Sequence, residues 1–188
     1  IYYLYVTTLD PKTGNILIPP NKATQRIVPF NATPDLSSDG KYLAFISQGA
    51  LGSSRPDFGA VTICSLETGQ ERELPLELNR LYRLRWFPDG RSILVHGFDK
   101  KGRAGFFRTD TQTGDVAAIV QVEPDTSVTD PAGISPDGKT VFYRRIVFSK
   151  KLHQIVARDI ETGQDKELYH LAAPALVMNP VLSPDGQN

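Results

Sequence analysis

The stretch ISPDGKTVFY (134–143) reads as the end of one strand, a tight turn and the start of another. Close copies stand at LSSDGKYLAF (36–45) and WFPDGRSILV (86–95), and the turn alone returns at LSPDG (182–186). Their aspartates, Asp39, Asp89, Asp137 and Asp185, are 50, 48 and 48 residues apart. A second marker alternates with the first: DPKTG (10–14), SLETG (65–69), DTQTG (110–114) and DIETG (159–163). Two interleaved signals with one period define a repeat, and that period has to be explained before any single motif is read.

Between the markers the chain reads as short strands. Leu36, Trp86, Ile134 and Leu182 stand three residues before each turn aspartate. Pro34, Leu84, Ala132 and Pro180 stand two residues earlier still, so one face is apolar at period two. The runs KYLAFIS, RSILVHG and KTVFYRR that follow the turns are rich in β-branched and aromatic residues. AVTICSL, AGFFRTD and HQIVARD supply a third strand, and ERELPLE, VAAIVQV and DKELYHL a fourth. No stretch carries sustained helical periodicity between caps.

Four short strands per unit at this spacing predict an all-β fold: a β-propeller arc of about four blades, each a four-stranded antiparallel sheet. The expected organisation is a partial blade over 1–30, repeats starting near 31, 80 and 128, and the first strand of a further blade over 177–188. Propellers close with ~4–8 blades, so the arc is expected to be incomplete. It reads as a segment of a larger propeller, or as one copy of an assembly that completes the ring.

The turn residues have a mechanical explanation. Proline presets φ, aspartate suits the next position, and glycine accepts the left-handed conformation that closes a short hairpin. Ser38 replaces the proline of the other copies, which a type I turn tolerates. In the second series Asp10, Asp110 and Asp159, with Ser65 in the remaining copy, are placed to accept backbone N–H bonds. A calcium site would need several converging oxygens, and each turn offers one carboxylate. A sialidase-type Asp box would need a residue between aspartate and glycine. These turns are therefore read as joints.

The pattern SPDGKTVFY…DIETG (135–163) is repeated in FPDGRSILV…DTQTG (87–114) and SSDGKYLAF…SLETG (37–69). It resembles the WD-repeat-like propellers of the periplasmic TolB family. Related repeats occur in the propeller domains of tricorn-type and prolyl-oligopeptidase-type peptidases. The resemblance implies a non-catalytic scaffold for a protein or peptide partner, in the bacterial periplasm or cell envelope, with the cytoplasm as the alternative. Two other readings use the same fold: the substrate-gating propeller of a serine peptidase, and the sensor domain of a multidomain bacterial regulator. Fold alone does not choose among them.

Composition narrows the partners. Lys plus Arg and Asp plus Glu balance at 21 each, so no overall field favours nucleic acid or an anionic membrane. No apolar run reaches the ~18 residues that span a bilayer. The single cysteine, Cys64, sits in an apolar strand and reads as a buried, inert thiol. His96, His153 and His170 fall in separate strands without metal-ligand spacing. Gly-x-Ser-x-Gly and phosphate-loop motifs are missing from the sequence. No catalytic residue, metal or cofactor is expected. Trp86 occupies the repeat position of Leu36, Ile134 and Leu182, and reads as blade-packing core rather than a ligand-stacking ring.

Antiparallel alternation puts both marker series on one face and the variable connections on the other. SQGALGSSRPDFG (47–59), GFDKKGRAG (97–105) and RRIVFSKKL (144–152) are the variable ones, and scaffolded loops commonly carry binding. Their cations define a candidate partner-binding rim: Arg55, Lys100, Lys101, Arg103, Arg144, Arg145, Lys150 and Lys151. Such a rim suits an anionic partner such as an acidic peptide. Solvated loop charge is the plainer reading, and Asp57 and Asp99 dilute the patch.

Overall fold

The computed structural model describes residues 3–24, 30–48, 59–175 and 180–183. Strands β1 (Tyr5–Leu9) and β2 (Ile16–Lys22) form an antiparallel pair. A first blade follows, with β3 (Phe30–Leu36), β4 (Tyr42–Gln48), β5 (Ala60–Ser65) and β6 (Glu71–Glu73) in sequential order. The second blade is β7 (Leu78–Trp86), β8 (Ser92–Asp99), β9 (Ala104–Asp110) and β10 (Val116–Gln121). The third is β11 (Thr126–Ile134), β12 (Thr140–Val147), β13 (Leu152–Asp159) and β14 (Asp165–Ala172). Every pairing is antiparallel, and no helix occurs among the described residues. This is the incomplete all-β propeller arc that the repeats predict.

The turns close as their chemistry requires. Asp39 Oδ1 accepts the Lys41 amide at 3.0 Å and the Ser37 hydroxyl at 2.6 Å, and the Gly40 amide donates to the Ser37 carbonyl at 2.8 Å. Gly40 sits at φ 69°, where a Cβ would be strained. Asp137 repeats this with Lys139 and Ser135, and Asp89 accepts from the Arg91 and Ser92 amides. In the second series Asp110 Oδ1 accepts from Gln112 and Thr113, Asp10 from Lys12 and Thr13, and Asp159 from Thr162. Ser65 does the same for Thr68 with its hydroxyl. These bonds hold the carboxyls of Asp10, Asp39, Asp110, Asp137 and Asp159 below the usual carboxylate range. Asp185 lies outside the described residues.

Burial follows the period of two. In the first blade Leu43, Phe45 and Cys64 pack against Leu4 and Val6 of the preceding pair, while Ala44, Ile46, Val61 and Ile63 face forward. Ile93, Val95 and Phe107 of the second blade meet that forward face. Leu94 and Phe106 in turn meet Val141, Tyr143 and Val156 of the third. Each fully buried side chain of this size contributes about 1.5–3 kcal/mol.

The first seam also carries a polar strap. Trp86 is buried against β3, with its indole N–H donating to the Asp35 carbonyl at 3.0 Å and its amide to Asp35 Oδ2 at 2.7 Å. The expected core role of Trp86 holds. Leu36, at the equivalent position of the first blade, is 46% exposed. Among the described residues the β1–β2 pair before it is joined by no inner strand for Leu36 to cover.

Candidate partner-binding site

The inner strands β3, β7 and β11 stand side by side, with β7 touching both neighbours. Each is interrupted by a bulge, between Ala32 and Asp35, Asn79 and Arg83, and Thr129 and Gly133. Thr33 and Arg80 take left-handed backbone there, at φ 49° and 46°. Bulges re-aim side chains, and in β7 the result is an aromatic cluster. The Tyr82 ring lies 5.1 Å from His96 and 6.0 Å from Phe98. His96 continues to Phe106 at 5.0 Å, and Phe106 to Tyr143 at 5.5 Å in the next blade.

Tyr82, His96 and Phe98 line a cleft of about 640 Å³, walled by Thr33, Arg83 and Val128. His96 is buried beneath Tyr82, which is 48% exposed. A smaller cleft of about 260 Å³ shares Thr33 and Arg83 and runs along the inner strands past Pro131 to Val181. Strand β7 is basic: Arg83 lines both clefts, Arg85 lines the smaller one and Arg80 stands over Phe98. The Arg80 guanidinium lies 6.0 Å over the Phe98 ring, and Arg85 Nη1 is 3.6 Å from Asp35 Oδ1. Burial pushes the Asp35 carboxyl up, against the opposing pull of the Trp86 amide and Arg85. An aromatic floor beside guanidinium groups can take an apolar or aromatic side chain next to an anionic group. Phe98 and Ala104 flank the β8–β9 connection, so the large cleft opens on the face of the variable connections.

The rim residues separate into four groups. Arg55 lies outside the described residues. Lys100 Nζ meets Glu77 at 2.5 Å and Arg103 Nε meets Asp99 at 2.8 Å, so two of the three β8–β9 cations are matched locally. Lys101, Lys150 and Lys151 occupy the connections with no charged partner among the described residues.

Arg144 and Arg145 correct the expectation that RRIVFSKKL is a loop. Strand β12 runs on to Val147 and β13 resumes at Leu152, so both arginines are strand residues on opposite faces. Arg144 Nε donates to Thr129 Oγ1 at 2.8 Å, beside the large cleft. Arg145 instead reaches Gln154 and Asp165, at 2.8 and 2.9 Å. They do not form one surface.

The remaining chemical candidates are placed as packing. Cys64 is fully buried, its Sγ donates to the Ala23 carbonyl at 3.2 Å, and burial raises its thiol pKa. His153 is buried, and His170 is exposed with Nδ1 2.6 Å from Glu167. Among the described residues no group of three or more His, Cys, Asp or Glu side chains is placed to hold a metal ion. The Tyr82 cluster escaped the sequence reading because its members are joined by the bulged β7–β8 register and not by a local motif.

Structural comparison settles the architecture. A TolB from Agrobacterium tumefaciens superposes with a TM-score of 0.68 at 20% identity, over 89% of this chain and 58% of that one. A TolB from Acinetobacter baumannii gives 0.66 at 21%, over 95% of this chain and 40% of the other. The chain is a β-propeller arc. The β-propeller domain of the Trilobed protease from Pyrococcus furiosus, described as having an open velcro topology, matches at 0.51 and 18% identity. That match covers 88% of this chain and 49% of that propeller chain. The arc thus spans between two fifths and three fifths of the propeller proteins it resembles. Neither a protein-family model nor a curated protein sequence matches the chain.

Proposed function

We propose that this chain is a non-catalytic propeller scaffold that binds a protein or peptide partner across the cleft formed by β3, β7 and β11. The observation that carries the reading is the half-exposed Tyr82 ring over His96 and Phe98 beside a basic β7 wall. Lys101 and Lys151 on the same face add attraction for an acidic segment. The proposal includes the envelope setting implied by the sequence resemblance. It also takes the chain as a segment of a larger ring, with units from about 31, 80 and 128 between a partial blade over 1–30 and an opening strand over 177–188. A ring completed by a second copy is the alternative assembly.

A displayed random-peptide library selected on the immobilised chain tests the binding. Enriched peptides are expected to combine aromatic and acidic residues, and to lose about tenfold or more in affinity on Tyr82→Ala, which is 1.4 kcal/mol or more. Charge reversal at Lys101 is expected to slow association with a smaller effect on dissociation. No enrichment, or enriched peptides indifferent to Tyr82→Ala, overturns the reading. A second reading, a gate for a peptidase domain, draws on the likeness to the protease propeller domain and uses the same cleft. Peptides selected there would then be cut when the chain is joined to its catalytic partner.

A further inference from the structure

The seam between the second and third blades holds a different cleft, of about 240 Å³, on the other side of Val128 from the aromatic one. It lies between β10, which contributes Val120 and Gln121, and the backward face of the third blade. The repeat shows what is unusual there. By strand register Arg145, Gln154, Arg158 and Asp165 occupy the positions of Gly97, Gly105, Thr109 and Val116 in the second blade. Where one blade presents two glycines and small or apolar side chains, the other presents two guanidinium groups, an amide and a carboxylate.

The two arginines share one carboxylate. Asp165 Oδ2 accepts from Arg145 Nη1 at 2.9 Å and from the Tyr143 hydroxyl at 3.1 Å, while Oδ1 accepts from Arg158 Nη1 at 3.0 Å. One carboxylate therefore serves both arginines. Of the Arg158 donors only Nη1 is engaged among the described residues, and Nε is buried without an acceptor. Lys150 also lines the cleft and has no charged partner among the described residues. Arg145, Lys150 and Arg158 face Glu123 and Asp165 across the lining, and Glu167 stands just behind Gln154, which donates to it. Guanidinium groups with spare donors in a partly closed polar cleft favour a planar or tetrahedral oxyanion.

We propose that this inter-blade cleft binds a small oxyanion, a carboxylate or a phosphate, held by Arg145, Lys150 and Arg158. The anion gives the under-used Arg158 guanidinium, whose Nε is buried without an acceptor, a partner. This site is independent of the aromatic cleft, so either can fail without the other.

The test is calorimetric titration of the whole chain with inorganic phosphate at constant ionic strength in chloride, with acetate in a parallel series. Saturable binding of one equivalent of either anion is expected, and whichever binds tighter separates a phosphate ligand from a carboxylate. Arg158→Gln and Lys150→Gln should each weaken it about tenfold. Arg158→Gln removes a partner of Asp165, so urea unfolding is followed alongside. Lys150→Gln alters an exposed side chain that holds nothing else, and it decides the matter alone. No saturable binding of either anion, or an affinity that Lys150→Gln leaves unchanged, overturns the proposal.

Discussion

The two blade seams solve one packing problem with opposite chemistry. At the first seam Ile93, Val95 and Phe107 close onto Ala44, Ile46, Val61 and Ile63, and Trp86 locks the inner strands through Asp35. The second blade can be thin there because it is built with glycine. A Cβ at Gly105 would stand 2.1 Å from the Val120 carbonyl oxygen, so β9 and β10 approach only without a side chain. At the second seam Val141 and Val156 still bury against Leu94 and Phe106, but the outer half is Arg145, Gln154, Arg158 and Asp165. A repeat fixes where strands go, and it leaves each seam free to be sealed or to remain a polar cleft.

The comparison is tested most severely at Trp86. Trp86→Ala removes a buried indole and leaves Asp35 facing a cavity, and the expected loss is about 3–5 kcal/mol in urea unfolding. A loss under about 1 kcal/mol would show that the first seam does not depend on this residue.

Next come Gly105→Ala and Gln154→Ala, the same repeat position in two blades. The first must displace β10 and is expected to cost about 1–3 kcal/mol, whereas the second shortens a side chain beside a cleft and should cost less. Equal costs would erase the distinction between the seams.

Asp35→Ala strands the Trp86 amide and should cost about 1–3 kcal/mol, with Asp35→Asn much milder. Burial raises the Asp35 pKa in the folded state, so its contribution is complete below the unfolded pKa and is lost as pH rises through the folded one. Asp35→Asn should therefore gain on the native protein as pH rises above about pH 4. The turn aspartates behave oppositely. Hydrogen bonds from Ser135 and Lys139 lower the Asp137 pKa, so its contribution is present above about pH 4 and fades in acid. The deficit of Asp137→Ala should accordingly shrink as pH falls. The smallest effect is expected from Tyr82→Ala, which should change stability by less than about 1 kcal/mol while removing peptide binding.

What could be read from the chain follows how local its causes are. The turns were legible because aspartate, glycine and the amides they engage lie within five residues, as in Ser135–Lys139. Trp86 was legible as core because its repeat position names its neighbour. The aromatic cleft was not, since Tyr82 reaches His96 only through a bulged register. Arg144 and Arg145 were misplaced because nothing after Tyr143 marks the strand end, and β12 continues through Ile146 and Val147. Their opposite directions then follow from strand geometry alone. The seam cleft required knowing which faces meet, which the repeat alone does not disclose.

Native-state hydrogen exchange across the three blades tests the contrast between the seams most directly. Strands β11–β14 are expected to open as one unit at lower free energy than β3–β5 and β7–β9, which exchange together through the Trp86 seam. Trp86→Ala should then uncouple the first two blades. Uniform protection across all three blades, or opening of the first blade alone before the third, would contradict the account.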